Sequence, residues 1–226
     1  MKTRVVVVDD HVSIRQMLGI VLAREGPYEV VGEAGTGFEA LKICRKMKPH
    51  LVVLDLVLPE MNGVEVLRTL RAELWDTRFM VYSGTMSRAL IVEALQARPH
   101  GFVHKTDALP TFREALRAVL GGCCYFTPFA TKLMDEDRQT GVGSPQLSQR
   151  ERSVLQMIAE GMSNKQMADR FCLAPKTVEH YRAQLMQKLG MHDVAALTRC
   201  AVRMGLIEVE VEGRCLLIEE CDAMVE

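Results

Sequence analysis

Three carboxylates, a hydroxyl and an ammonium stand at the downstream ends of four short apolar runs. Asp9-Asp10 follow Val5-Val6-Val7-Val8, and Asp55 follows Leu51-Val52-Val53-Leu54. Ser83 follows Phe79-Met80-Val81-Tyr82, and Lys105 follows Gly101-Phe102-Val103-His104. Val-rich runs of this length, separated by helical patterns, predict buried strands of a parallel sheet. The carboxyl ends of such strands share one edge, where ligands bind. Clustered carboxylates repel one another and need a cation, and oxygen ligands suit a hard ion such as Mg2+. An oxygen-ligated Mg2+ beside a Lys and a Ser is a place for a phosphoryl group.

The elements that must position these groups are legible in the first half. Strands are predicted near 3–9, 28–34, 50–55, 78–83 and 101–104. Helices are predicted near 13–25, 37–47, 63–73, 87–97 and 109–120. Ile14, Met17, Leu18, Val21 and Leu22 fall on one helical face. Five βα units with right-handed crossovers give an α/β fold, a doubly wound five-stranded parallel sheet.

Gly121-Gly122 ends the last of these helices. Residues 122–146 read as a linker with a short helix over 127–135. From Leu147 the pattern is all-α, with helices near 148–160, 164–171, 175–189 and 193–204. Ser148 with Glu151, and Ser163 with Gln166, form capping boxes. Gly161 and Gly190 stand at helix C-termini, Pro175 in a first turn and Asp193 at an N-cap.

Charge divides the chain in the same way. The net charge is -1, yet residues 145–207 carry 9 Lys+Arg against 5 Asp+Glu, and residues 208–226 carry 1 against 7. The front is near neutral, so nucleic-acid contact is expected in the basic middle. Seven Cys with no C-x-x-C pair and no signal peptide read as reduced thiols in a cytoplasmic protein. No apolar stretch is long enough for a membrane span.

Residues 3–120 resemble the receiver domain of two-component response regulators. The matching text is Val-Val-Asp9-Asp10-His, Leu-Asp55-Leu-Val-Leu-Pro59-Glu-Met-Asn-Gly63, Tyr82-Ser83-Gly84 and Gly101-Phe102-Val-His-Lys105. The resemblance implies that Asp55 accepts a phosphoryl group. It implies that Asp10, Asp55 and the Val57 carbonyl ligate Mg2+, with Asp9 acting through water. Lys105, the Ser83 hydroxyl and the Gly84 N–H would hold phosphoryl oxygens. Ser83 and Phe102 would form the switch. His104 is assigned nothing.

Residues 147–207 resemble the helix-turn-helix domain of the NarL/FixJ (LuxR-type) regulators. The match runs through Leu147–Gly161, Ser163–Ala168, Lys176-Thr-Val-Glu-His-Tyr-Arg182 and Lys188-Leu-Gly190. Within 175–189, Val178, Tyr181, Leu185 and Leu189 share an inward face. Lys176, His180, Ala183, Gln184 and Gln187 point the opposite way and suit base edges in a major groove. Thr177, Arg182, Lys188 and Lys165 lie nearer the rims and suit phosphates. Two positions depart from the family. Glu179 stands where Lys is common, and Ala174 replaces a frequent Ser cap.

These readings combine into four segments: receiver 1–121, linker 122–146, DNA-binding domain 147–207, and an acidic tail 208–226. In the tail, Val209, Val211 and Cys215–Ile218 either form a hairpin or compete with DNA for the basic face. The expected protein is a transcription factor phosphorylated on Asp55 by a sensor histidine kinase. Mg2+ is its one expected cofactor. Its other expected partners are double-stranded DNA, a second copy of the chain after phosphorylation, and RNA polymerase. Two readings compete with this one. An aspartyl-phosphate hydrolase would carry a second Asp two residues after the nucleophile, where Val57 stands. A constitutive DNA binder with a vestigial receiver would not need the complete acidic set.

Overall fold

The computed structural model describes residues 2–140 and 147–207. The first half alternates β1 (Thr3–Val8), α1 (Val12–Glu25), β2 (Tyr28–Ala34), α2 (Gly37–Met47), β3 (Leu51–Leu54), α3 (Gly63–Glu73), β4 (Arg78–Ser83), α4 (Arg88–Gln96), β5 (Gly101–His104) and α5 (Leu109–Leu120). With a short β6 (Tyr125–Phe126) at one edge, all strands pair in parallel, in the order β2-β1-β3-β4-β5-β6. The expected parallel sheet is therefore present, with one strand more than the five read from the sequence.

The extra strand, β6 (Tyr125–Phe126), runs beside β5. Two residues are too few to show alternation, and Gly121-Gly122 before them reads as a break. After β6, α6 spans Pro128–Thr140, longer than the helix expected over 127–135. Its Ala130 and Leu133 enter the same core as Leu90 and Ile91 of α4. Arg88 of α4 and Glu136 of α6 are paired at 2.5 Å. Much of the segment expected as a linker thus packs on the α/β half.

Strand pleating separates two cores, because successive side chains point to opposite faces. Val5, Val7, Leu51, Val53, Met80 and Val103 pack with Leu18 and Leu22 of α1 and Phe112 and Leu116 of α5. Val6, Val8, Val52, Leu54, Phe79 and Phe102 pack with α2, α3 and α4. Central strands buried on both faces account for the unbroken apolar runs in the sequence.

The far edge of the sheet shows a short repeat. Lys48-Pro49-His50 and Arg98-Pro99-His100 each begin with a left-handed residue, φ 44° and 55°. Each His Nδ1 then accepts the N–H of a neighbouring strand's second residue: His50 from Arg4 at 2.9 Å, His100 from Phe79 at 3.0 Å. Burial, with Arg71 and Arg78 nearby, pushes His100 down to about 4.

The second half folds as α7 (Gln149–Ala159), α8 (Asn164–Phe171), α9 (Pro175–Leu189) and α10 (Val194–Arg203). Both capping boxes form, and the Asp193 side chain caps α10. Gly161 and Gly190 take φ 79° and 64°, where a Cβ is disfavoured. Val154, Leu155, Met167, Val178, Leu185, Leu197 and Ala201 form a separate core. The hairpin expected after Glu208 lies outside the described residues.

Candidate functional site

The acidic pocket forms where β1, β3, β4 and β5 end together. Asp55 leaves β3 with its N–H bonded to the Val8 carbonyl at 2.9 Å, so the ends of β1 and β3 stay adjacent. Gly63, at the start of α3, allows the following loop to fold back. Its N–H reaches the Leu56 carbonyl at 2.8 Å, and a Cβ there would sit 1.9 Å from the Asp55 carbonyl oxygen. Asn62 caps α3 through the Glu65 N–H at 3.0 Å.

Asp9 and Asp55 are almost fully buried. The Lys105 ammonium lies 2.7 Å from Asp9 and 2.5 Å from Asp55. Ser83 donates its hydroxyl to Asp55 Oδ1 at 2.5 Å, and the Leu56 N–H adds a contact at 2.6 Å. The Val57 N–H donates to the same oxygen at 3.3 Å. Gly84 is exposed beside the Lys105 side chain. Phe102 is fully buried in the β5 core, so its ring points inward here.

Burial raises the Asp9 carboxyl above its ordinary range, and the charge of Asp55 adds to this against the Lys105 hydrogen bond. Burial alone would lower Lys105. The carboxylates of Asp55 and Asp9 outweigh it, and the ammonium is held above its ordinary value. The donor set fits a hard cation. The groups are oxygen atoms, two of the carboxylates are buried together, and Asp9 carries an electrostatic penalty that added positive charge would relieve.

Asp10 is placed differently from its two acidic neighbours. It is exposed and meets His11 Nδ1 at 2.6 Å. Ligand atoms of Asp9, Asp10 and His11 lie within 4.8 Å of one another. His11 had no place in the expected set, and only its adjacency to Asp10 signals it. Arg15 Nη1 donates to the Asp9 and Asp10 carbonyls at 2.7 and 3.2 Å, fixing that turn. His104 is a packed histidine. It joins Thr106 at 2.7 Å and the Thr85 carbonyl at 3.3 Å, with its ring edge-on to Phe129 of α6.

The candidate DNA face lies on α9. Lys176, His180, Ala183, Gln184 and Gln187 are exposed, while Val178 and Leu185 are buried beneath them. Lys165 of α8 is also exposed and Thr177 is half-buried. Two rim residues are engaged within the domain. Arg182 donates to Asn164 at 2.8 Å, and Lys188 pairs with Glu151 at 2.8 Å. Ala174 makes no side-chain cap, so Pro175 opens α9 without one.

A second cluster of carboxylates joins the two halves, and sequence reasoning missed it. One face of α7 docks on α3, α4 and the loop after β3. Ser153 donates to Glu65 at 2.5 Å, and Gln156 donates to the Leu58 carbonyl at 2.6 Å. Glu160 accepts the Glu60 N–H at 3.1 Å, and Arg152 pairs with Glu93. Arg170 of α8 pairs with Glu60 at 2.6 Å, and Phe38 meets Phe171 edge-on at 6.0 Å. The available signal was the spacing of Arg152, Ser153, Gln156 and Glu160 on one helical stripe. A polar stripe ordinarily reads as a solvated face. This docking leaves the outward face of α9 exposed.

Comparison with known proteins agrees with both halves. Residues 5–117 match the response regulator receiver domain family, and residues 145–201 match the bacterial regulatory proteins of the luxR family. A putative transcriptional regulator of Pseudomonas aeruginosa is 35% identical over 207 residues, covering 91% of this chain and 100% of that protein. The virulence factors putative positive transcription regulator BvgA of Bordetella pertussis is 35% identical over 209 residues, with the same coverage. A LuxR-family two-component response regulator from Aurantimonas sp. SI85-9A1 superposes with a TM-score of 0.56 at 29% identity, covering 62% of this chain and 99% of that one. RcsB of Salmonella enterica serovar Typhimurium, bound to promoter rprA in the presence of phosphomimetic BeF3-, gives 0.56 at 23% identity over 89% of this chain and 99% of that one, a likeness of fold. Relatives aligned over nearly the whole described length carry the conclusion that the chain belongs to the two-component response regulators that join a receiver to a LuxR-type DNA-binding domain.

Proposed function

We propose that this regulator is switched by transfer of a phosphoryl group from a sensor histidine kinase to Asp55. The observation that carries the reading is the buried Asp55 carboxylate held between the Lys105 ammonium and the Ser83 hydroxyl. In the transfer, an Asp55 carboxylate oxygen forms the new bond to phosphorus as the phosphohistidine P–N bond breaks. The chain supplies position and charge neutralisation, which this chemistry chiefly needs. Lys105 takes one phosphoryl oxygen, and Ser83 and the Gly84 N–H take others. Asp10, Asp55 and the Val57 carbonyl would hold Mg2+, with Asp9 acting through water. The ion supplies Lewis-acid stabilisation of charge on the phosphoryl oxygens.

The output is binding. Val57 carries no proton for a hydrolytic step, which argues against turnover as the main role. Movement of Ser83 toward the phosphoryl group frees space for Phe102 and biases an existing equilibrium toward a dimer. The functional division follows: receiver 1–121, connection 122–146, DNA-binding domain 147–207. His180, Gln184 and Gln187 read bases in duplex DNA, with Lys176, Thr177, Lys165, Arg182 and Lys188 on the backbone. The protein acts in the cytoplasm, with RNA polymerase as a further partner at the promoter.

Selection from random duplex DNA, with and without acetyl phosphate, tests this reading. A single enriched operator bound more tightly after phosphorylation is expected. Recovery of unselected DNA under both conditions would overturn it.

A further inference from the structure

The contact between the two halves is unusual in what it buries. Glu65 is 1% exposed, lies at the start of α3, and meets Ser153 of α7. Among the described residues, its other oxygen, Oε1, has no hydrogen-bond partner, and neither do Gln156 Oε1 and Glu60 Oε2 in the same contact. A buried carboxylate with one oxygen unmatched favours its neutral form, because ionisation without a partner is costly in a dry site.

The surrounding charges do not offset this. Burial outweighs the Ser153 hydrogen bond, Arg152 of α7 and Arg68 of α3, which favour the ionised form, and Glu93 of α4 adds to the burial. Arg152 is itself paired with Glu93. On the other side of the contact, Arg170 of α8 is committed to Glu60. Glu160, the C-cap of α7, faces Glu60, whose charge adds to the effect of its burial.

We propose that docking of the DNA-binding domain on the receiver is a proton-linked latch, closed by neutral Glu65 against Ser153 and released when Glu65 ionises. The latch seats on the loop that carries the phosphoacceptor. Gln156 holds Leu58 and Glu160 holds Glu60, three and five residues beyond Asp55. Protons and phosphorylation therefore act on one loop from opposite sides. The latch leaves the outward face of α9 exposed, so it restrains how the domain is carried rather than what that face reads.

The sign of the effect is fixed by the two states. Burial pushes docked Glu65 up to about 7, while undocking returns it to water and its ordinary value of 4.5. The stabilisation is fully present below that ordinary value and is lost as pH rises to about 7. Raised Glu160 contributes in the same direction. Between about pH 5.5 and about pH 7.5, the docked-to-undocked ratio should fall about twentyfold from Glu65 alone.

Small-angle scattering of the full-length, unphosphorylated protein across this range measures the latch, independently of the reading of Asp55. Expansion with rising pH is expected in the parent. Glu65→Gln keeps the shape and remains neutral, and should lose most of this expansion, leaving the part that Glu160 contributes. An equal expansion in Glu65→Gln, or a parent with no pH dependence, overturns the proposal. The carboxyl carbon of Glu65, followed by NMR in the parent, gives a reading that needs no variant. Titration near neutrality supports the latch, and titration at the ordinary glutamate value refutes it.

Discussion

The acidic pocket at the ends of the strands and the contact between the domains both bury carboxylates, and they answer the cost in opposite ways. In the pocket, Asp9 and Asp55 share the Lys105 ammonium at 2.7 and 2.5 Å. In the contact, Glu65 meets a hydroxyl, and the nearby Arg152 is spent on Glu93. In the pocket, the Lys105 ammonium works against the burial that raises Asp9. In the contact, burial outweighs the Ser153 hydrogen bond and favours a proton on Glu65 instead. Chemically similar residues thus meet a cation in one place and a neutral donor in the other, and the balance of burial and partner sets how each carries its charge.

The largest expected effect comes from the loop that joins the two regions. Gly63→Ala puts a Cβ 1.9 Å from the Asp55 carbonyl oxygen, so backbone must move. A loss of about 3 kcal/mol or more is expected, read as a lower receiver melting temperature. It should also loosen the domain contact, because Leu58 and Glu60 belong to the same loop. A change confined to one region would separate two sites that we treat as joined.

Neutralising one acid in each region sharpens the contrast. Asp9→Asn should weaken Mg2+ binding about 10- to 100-fold, the effect expected of a group that orients the ion's shell. Calorimetric titration with Mg2+ checks this. Glu65→Gln should leave that affinity unchanged. Equal losses in both variants would contradict the division of roles.

The receiver and the contact should also respond oppositely to acid. His100 is held down at about 4, because burial and two nearby Arg oppose its charge. A depressed His contributes stability that is complete above its ordinary value and is lost as pH falls through that range toward 4. Receiver melting should therefore weaken below about pH 6.5, while docking tightens over the same interval. His100→Gln should flatten the acid limb of the melting curve without altering the latch.

How much of this was legible in the sequence follows from the same comparison. The pocket was legible because each of its groups ends a strand, and a parallel sheet has one carboxyl edge. Val5–Val8 and Leu51–Leu54 were enough to align Asp9 with Asp55. The domain contact was hidden because Ser153, Gln156 and Glu160 lie on a stripe that looks solvated until another surface covers it. Glu65 looked like an ordinary first-turn acid of α3. β6 was hidden for a different reason, since Tyr125–Phe126 gains its strand geometry from the edge of β5 rather than from its own pattern. Ala174, by contrast, was read correctly as a missing cap.

That cap gives the smallest prediction. Ala174→Ser should stabilise the DNA-binding half by about 1 kcal/mol through a new N-cap hydrogen bond on α9. Thermal unfolding checks it, and the pocket should be unaffected. A change in Mg2+ affinity would mean that the two halves are coupled more tightly than the contact on α7 provides.

The central claim is that Asp55 receives the phosphoryl group. Intact-mass analysis of the parent and of Asp55→Asn, each incubated with Mg2+ and acetyl phosphate, tests it most directly. The parent should gain one phosphoryl group through a hydroxylamine-labile acyl bond, and the variant should gain none. A variant that labels as fully as the parent would contradict the account.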